Sequence, residues 1–314
     1  MPGVPSPRQL LVYLFKIAVT AGLLWYFLKD VDFPTVGAHF AKLGPASLAL
    51  IVVLLFIQLL IFSLRWFLVA GGTVSALSLA DSIKISFIAF FFTFTVPIAM
   101  GGDISRVYYL NKSQKQLSGS VSVIFTDRLI GLLAIAVLMT TTYPAWVGLV
   151  SDEKLSQTLK VINLLAVAGL FLTPVILYVL RNRDFTRFPL IAGLADRIST
   201  TMRLRLVILL LALSLVIQAC SLAIIAVITT AMDVPVHGLR ELLLVVPVMI
   251  AGALPVSFGG WGIREGAMVL ALAQLGIAAE SALAVSVMFG LSLAVIGAPG
   301  IVFWMMRGSD KAGE

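Results

Sequence analysis

The chain has 314 residues, of which 60% are hydrophobic and 12% are charged, and its formal net charge is +7. An ordinary soluble domain has roughly 45–50% apolar and about 25% charged residues. This composition excludes a soluble globular domain and indicates an integral membrane protein.

Apolar runs of roughly 17 to 25 residues are long enough to cross a bilayer as helices. The first run, at residues 9–28, contains Lys16 and has no small-residue cleavage site after it, so we interpret it as an uncleaved span and not a signal peptide. In chain order, six full spans are predicted at about residues 10–28, 46–70, 129–150, 160–180, 206–231 and 281–306. The expected fold class is an all-α polytopic membrane protein.

Two further segments carry a short pattern that interrupts hydrophobic sequence. Each has a proline, a glycine pair four and five residues later, and an arginine nine residues after the proline. The first copy contains Pro97, Gly101, Gly102 and Arg106, and the second contains Pro255, Gly259, Gly260 and Arg264. Hydrocarbon neither satisfies freed backbone groups nor solvates a guanidinium. Paired breaks in corresponding positions of two halves point to a transport site.

Basic residues are concentrated in segments 106–128 and 181–205. Because cytoplasmic loops collect Lys and Arg, we place both segments and both termini on the cytoplasmic side. The positive charge therefore indicates orientation in a membrane and no nucleic-acid partner. With these sides fixed, residues 82–110 and 240–277 are predicted to form re-entrant broken hairpins. The charges leave one alternative open, an external N-terminus with residues 82–100 as a full crossing.

The two halves of the chain repeat one order of elements. Ile57-Gln58 and Ile217-Gln218 occupy matching positions in two spans, and the second break motif follows the first at nearly the same offset. We predict a single membrane domain with a first repeat at 1–155 and a second at 156–314. Because the second repeat starts from the other face, its topology is inverted, and a substrate site is expected near the midplane between the repeats.

The chemistry of such a site follows from the residue types at the two breaks. A helix that restarts after a glycine pair presents N–H groups to an anion, and an arginine adds a bidentate fork for phosphate or carboxylate. The predicted substrate-binding residues are Gly101, Gly102, Asp103, Arg106, Asp127, Arg128, Gly259, Gly260, Trp261, Arg264 and Glu265.

Several of these residues also have a purely structural interpretation. The motif arginines either contact substrate or form ion pairs with the acidic residues nearby, and Trp261 either packs on substrate or plugs its hairpin. Arg65, near the end of its span, is predicted to snorkel to the interface. His39 and His237 stand alone in predicted loops, and the single cysteine, Cys220, lies in an apolar run. They form no ligand cluster, so no metal, cofactor or catalytic residue is predicted.

Three blocks of sequence carry a resemblance to a known family. The block from Gly101 to Tyr109, the block that begins at Asp127-Arg128 and the block from Leu254 to Gly266 resemble the signature blocks of the lysylphosphatidylglycerol synthase transmembrane-region family of flippase-like proteins. The resemblance implies a protein of a prokaryotic cytoplasmic membrane, related to the part of the bifunctional synthases that moves aminoacylated phosphatidylglycerol between leaflets. It also implies a stand-alone member, because the chain ends without the aminoacyltransferase domain of those synthases.

The leading hypothesis is a translocator for a phospholipid or polyprenyl-linked lipid with an anionic head group, working by alternating access and without enzymatic activity. One alternative is a membrane-embedded transferase that uses Asp103 or Glu265 as a general base. A second is an accessory subunit of a separately encoded lipid-modifying enzyme. An oligomer is compatible with each hypothesis.

Overall fold

A computed structural model describes residues 33–71, 77–94, 100–114, 117–182, 204–253 and 260–309. The predicted first span at 10–28 and most of the basic segment 181–205 lie outside these residues. Within them, the regular elements are helices and no strand occurs. The helices are α1 (Phe33–Ala41), α2 (Pro45–Val69), α3 (Leu79–Phe94), α4 (Gly101–Gln114), α5 (Leu117–Trp146), α6 (Glu153–Asn182), α7 (Leu204–Ala231), α8 (Leu239–Leu242), α9 (Val246–Ala253), α10 (Ile263–Ala273), α11 (Ala279–Gly297) and α12 (Pro299–Ser309).

Five stretches of the described chain are long and apolar enough to cross a membrane: α2, α5, α6, α7 and the α11–α12 pair. They coincide with five of the six predicted spans and confirm a multi-pass helical membrane protein. The predicted start of a span at residue 129 is wrong. Helix α5 begins at Leu117, about three turns before the expected start at 129, because the charges of Asp127 and Arg128 are paired with other charges and do not end the apolar helix.

Between the long helices, each half contains two shorter helices around a break. Helices α3 and α4 have 16 and 14 residues, and α9 and α10 have 8 and 11. A helix rises 1.5 Å per residue and the hydrocarbon core is about 30 Å thick, so none of the four is long enough to cross alone. Both halves thus share the order long helix, broken short pair, long helix.

Contacts between distant segments define one end of the bundle, which we call the Asp233 end. Lys42 pairs with Asp233 at 3.1 Å, and the Arg240 side chain donates to the carbonyl oxygen of Ala145. The backbone N–H of Ser151 donates to Gln274 Oε1 at 3.1 Å. The start of the segment that contains α9 and α10 therefore lies beside the α5–α6 connection, and so does its end.

His39 belongs to the same end, and the prediction that it stands alone in a loop was wrong. It lies in α1 and is partly buried, with Nδ1 at 3.0 Å from the carbonyl oxygen of Met232 and Nε2 at 3.0 Å from Ser281 Oγ. Two bonds at once hold the imidazole against the end of α7 and the start of α11.

The opposite end is built around a second apolar cluster, and we call it the Leu77 end. Leu77, just before α3, and Leu110, near the end of α4, are both buried in this cluster together with Val69 at the end of α2. Val123 of α5 and Leu210 of α7 complete the packing. The segment that contains α3 and α4 therefore starts and finishes at this end.

Small residues bring the last helix pair close to α3. A Cβ added at Gly297 would fall 2.8 Å from the backbone nitrogen of Phe91, and one at Gly300 would fall 2.6 Å from the carbonyl carbon of Phe87. Close backbone approach is the usual way in which membrane helices gain packing energy in an apolar solvent. Helix α3 is thus packed closely against the α11–α12 pair.

Candidate functional site

Five charged residues from three helices form a buried cluster beside the first break, which we call the Asp127 cluster. Its members are Arg65 of α2, Asp103 and Arg106 of α4, and Asp127 and Arg128 of α5. Arg106 lies at the centre, with Nη1 at 2.8 Å from Asp127 Oδ2 and Nη2 at 2.7 Å from Asp103 Oδ1. Three cations and two anions leave the cluster with one net positive charge.

Arg65 joins this cluster, so the prediction that it snorkels to the interface was wrong. Arg65 is only 6% exposed. Its Nε lies 3.0 Å from Asp127 Oδ1, and its Nη1 donates to Ser214 Oγ of α7 at 2.9 Å. The Nε–H and Oδ1 form an ion pair without the alignment of a hydrogen bond. A carboxylate buried in apolar surroundings needs compensation, and Asp127 obtains it from two arginines.

Aromatic rings lie close to two of the three arginines of the Asp127 cluster. The guanidinium carbons of Arg65 and Arg106 lie 5.5 Å and 5.0 Å from the ring centre of Phe62, and Arg106 lies 5.7 Å from that of Trp66. Such cation–π contacts strengthen when water is excluded. Arg128, whose side chain is 48% exposed, closes the cluster on the outside by binding Asp103 at 2.6 Å.

The second break carries a smaller group, the Glu265 cluster, made of Trp261, Arg264, Glu265 and Ser286. Arg264 Nη2 lies 2.6 Å from Glu265 Oε1, and Ser286 Oγ donates to the same oxygen at 3.2 Å. The other carboxylate oxygen accepts the backbone N–H of Gly262. The carboxylate of Glu265 thus accepts a hydrogen bond from a backbone N–H at the start of α10, where the sequence predicted that an external anion would bind.

The guanidinium of Arg264 lies close to two aromatic rings and to a glycine. Its carbon lies 4.8 Å from the ring centre of Trp261 and 5.9 Å from that of Phe289. A Cβ added at Gly290 of α11 would clash with this guanidinium. Trp261 therefore packs on the site arginine, so the turn residue and the motif arginine form one unit.

The motif glycines allow the two arms of each break to touch. A Cβ at Gly102 would fall 2.6 Å from the carbonyl oxygen of Ala89 in α3, and one at Gly260 would fall 3.1 Å from that of Gly252 in α9. Gly260 also has a φ of +82°, a conformation that favours glycine. Gly101 is buried at the start of α4. Gly259, Pro97 and Pro255 lie outside the described residues.

We expect Gly102→Ala to lower the thermal unfolding midpoint of the protein in detergent. The new methyl group meets backbone, so the α3 and α4 arms must separate, and overpacking of this kind costs about 1–3 kcal/mol. Gly169→Ala in α6 is the control, because no atom lies within 4 Å of its added Cβ. An equal midpoint for both variants would contradict the close contact between the arms.

A cavity of about 250 Å³ lies between the two halves. Long helices α2 and α7 contribute Gln58 and Gln218, α3 contributes Phe90, and α10 and α11 contribute Arg264 and Phe289. Gln58 stands 13 residues after Pro45 and 11 before Val69, so the cavity is close to the middle of α2. Arg264 is among its lining residues in the described chain, whereas Arg106 is not.

The sequence of the chain matches the model of one protein family. The model of the lysylphosphatidylglycerol synthase TM region matches residues 13–300, nearly the whole chain. The chain belongs to the lysylphosphatidylglycerol synthase transmembrane-region family. No curated protein matches it significantly. The match confirms the resemblance carried by the three sequence blocks, all of which fall within it, and it places this family member among membrane proteins of lipid metabolism or translocation.

The predicted site residues of this family member separate into two groups. Asp103, Arg106, Asp127 and Arg128 meet in the Asp127 cluster, and Trp261, Arg264 and Glu265 meet in the Glu265 cluster. The internal ion pairs foreseen for both arginines are therefore present. Contact of any of these residues with substrate stays a prediction.

Sequence reasoning missed four polar residues that belong to these sites. Gln58, Gln218 and Ser221 line the cavity, and Ser214 binds Arg65. The matching glutamines were recognised only as markers of the repeat. The sequence did contain a signal for the two glutamines. Burying a glutamine in a long apolar helix costs free energy unless it meets a polar partner or a ligand, and here two stand at corresponding positions.

Proposed function

We propose that this protein moves a lipid with an anionic head group between the leaflets of a prokaryotic cytoplasmic membrane, by alternating access and with both termini on the cytoplasmic side. The observation that carries the proposal is the cavity at mid-length of α2 and α7, which both halves line and which contains the buried arginine Arg264. A guanidinium held in apolar surroundings is a strong site for phosphate or carboxylate.

An inverted repeat, with repeats at 1–155 and 156–314, accounts best for the two ends of the bundle. The segment with α3 and α4 starts and finishes in the apolar cluster of the Leu77 end. The segment with α9 and α10 starts and finishes beside the α5–α6 connection at the Asp233 end. Two short-helix hairpins that enter from opposite faces support re-entrant segments and alternating access.

In the mechanism that we propose, the head group occupies the cavity while the acyl or prenyl tails stay in the bilayer. The Asp127 cluster ties α4 to α2 and α5 through ion pairs, so the first hairpin acts as a rigid unit. The second hairpin carries Arg264 and rocks against it, opening the cavity to one leaflet and then to the other.

A transferase is a less suitable assignment for these residues. Asp103 binds both Arg106 and Arg128, and Glu265 binds Arg264. Use of either carboxylate as a general base would require breaking a buried ion pair that it already makes with arginine. We therefore propose no catalytic step for the chain itself.

Leaflet exchange in liposomes tests the proposal directly. Purified protein is reconstituted with acyl-labelled anionic lipids, and the fraction of label open to dithionite, which does not cross the membrane, is followed over time. We expect loss of the inner-leaflet signal with protein and its retention in vesicles without protein or with an unrelated helical membrane protein. Equal retention in all three preparations would remove lipid translocation from consideration.

Cysteine labelling tests the hairpin topology separately. In a Cys220→Ser background, we expect Leu239→Cys and Ala278→Cys to react with an impermeant maleimide on intact cells, because both flank the second hairpin at the Asp233 end. Ala80→Cys and Ser113→Cys flank the first hairpin and should react only after permeabilisation. Labelling of one hairpin's two flanks from opposite sides would show a full crossing and reject the inverted repeat.

A further inference from the structure

The polar lining of the cavity has a composition that the anionic-lipid proposal alone does not explain. At one side stands Arg264, whose Nε and Nη2 bind Glu265 and Ser286. Its Nη1 makes no hydrogen bond to a described residue. Among the described residues, nothing competes with an oxygen anion for the two N–H groups of this nitrogen.

Gln58 provides a second, complementary group in the same lining. Its Nε2 donates to Ser221 Oγ at 2.7 Å and to the carbonyl oxygen of Ile217 at 3.2 Å. These two acceptors fix the orientation of the amide, and its Oε1 is left buried without a hydrogen-bond partner. The residue is only 6% exposed. A buried acceptor left unpaired costs about 1–3 kcal/mol, so a donor brought by a ligand would recover that energy.

The matching residue of the other half, Gln218, lines the same cavity and is half-buried. It makes no hydrogen bond to the described part of the chain. The two glutamines and Ser221 thus form a neutral polar surface that can both accept and donate hydrogen bonds. This surface suits hydroxyl groups, which also do both.

The charge of the cavity lining favours head groups with hydroxyls over head groups with cationic amines. Arg264 is the one charged side chain among the described residues that line the cavity. Glu265, its partner, is fully buried, is not among the lining residues and is already bound by Arg264, Ser286 and Gly262. Segments 95–99 and 254–259, which adjoin the lining in sequence, contain no ionisable residue. An ammonium group in this cavity would face a guanidinium without a carboxylate among the described lining residues to balance it.

We propose that the cavity selects a compact anionic head group that carries hydroxyls, and that it disfavours a head group bearing a cationic amine. The anion binds Arg264 Nη1 and a hydroxyl donates to Gln58 Oε1. The volume of about 250 Å³ lies just below the roughly 300–1,000 Å³ of small-molecule pockets, which limits the occupant to one small head group. This inference rests on the proposed function and names its substrate class.

The first test compares exchange rates of lipids that differ only in the head group. Acyl-labelled lipids carry phosphoglycerol, phosphomethyl or lysyl-phosphoglycerol on identical tails. We expect phosphoglycerol to exchange about three- to tenfold faster than phosphomethyl, the factor for one neutral hydrogen bond, and the lysyl lipid to exchange slowest. A polyprenyl phosphohexose and the matching polyprenyl methyl phosphate form a second pair. A hydroxyl preference in either pair supports the inference and identifies the lipid source, and its absence from both overturns it.

Two variants keep the test independent of folding defects. Gln58→Met preserves side-chain length and removes the acceptor, so the preference for phosphoglycerol over phosphomethyl should fall to about one. Gln218→Glu adds a carboxylate to the lining and should raise the rate of the lysyl lipid relative to phosphoglycerol. A gain of this kind cannot arise from misfolding. Unchanged preferences in both variants would refute the assignment of the glutamines.

A binding measurement separates failure of this inference from failure of the proposed function. Short-chain, soluble forms of the same lipids are added to purified protein in detergent, and the thermal midpoint is recorded. Phosphoglycerol should raise the midpoint of the wild type more than phosphomethyl does, and this difference should vanish in Gln58→Met. Selective binding without exchange would reject translocation alone. Equal stabilisation by both lipids would reject the head-group inference, whether or not exchange occurs.

Discussion

Replacing Asp127 by asparagine is expected to lower the stability of the protein by about 3–5 kcal/mol, the usual cost of removing one partner from a buried ion pair. Asp127 is 1% exposed and faces Arg65 at 3.0 Å and Arg106 at 2.8 Å. Without its charge, the Asp127 cluster would hold three cations and one anion. The measurement is the thermal unfolding midpoint in detergent, read by size-exclusion chromatography after heating.

The control for this prediction is Asp233→Asn. Asp233 pairs with Lys42 at 3.1 Å, but the two side chains are 74% and 45% exposed, and exposed pairs contribute about 0–1 kcal/mol. Combining Asp127→Asn with Arg65→Gln removes one charge of each sign and should restore part of the lost stability. If Asp127→Asn left the midpoint as high as Asp233→Asn does, the cluster would not be a buried and mutually dependent unit.

Replacing Arg264 by glutamine is expected to slow leaflet exchange of anionic lipids by about ten- to a hundredfold, because hydrogen bonds to charged groups contribute about 1.5–3 kcal/mol. Arg264 is 5% exposed and is the cavity's charged side chain in the described chain. Arg264→Lys keeps the charge and loses the planar fork, so an intermediate rate is expected. The dithionite assay on reconstituted vesicles measures all three rates.

Arg240→Gln is the matched control for Arg264→Gln. It removes the same charge from an exposed residue at the Asp233 end, so its exchange rate should equal that of the wild type. Because Glu265 loses its arginine in Arg264→Gln, each variant is compared at equal amounts of monodisperse protein. Wild-type exchange by Arg264→Gln would show that this arginine has a structural role only.

The order of the long helices in the described chain could be predicted because membrane helices are encoded by local composition. An apolar run of about 20 residues has no other stable state in a bilayer, where each backbone group must be satisfied within its own helix. Five such runs are helices in the described chain. The ends of the helices were harder to predict. Helix α5 starts early, at Leu117, because an arginine from another helix balances the charge of Asp127.

The site could be predicted only in part. The motif arginines and their acidic neighbours were found from the cost of charge at membrane depth, and their pairing follows from closeness in sequence, as for Arg264 and Glu265. Arg65 was misjudged because its partner, Asp127, is 62 positions away in sequence, and no local pattern connects them. The glutamines were noticed for their spacing and not for their chemistry.

The sequence by itself determined the class of the protein, the positions of its apolar helices and the two interrupted motifs, because hydrophobicity and backbone breaks act locally. Only the tertiary structure decided which arginine meets the cavity. Arg106 is surrounded by Asp103 and Asp127 from two helices, whereas Arg264 meets one carboxylate among the described residues, through Nε and Nη2, and its Nη1 binds none of them. That difference depends on how many counter-charges other helices bring to each arginine, which is a property of packing and not of the motif.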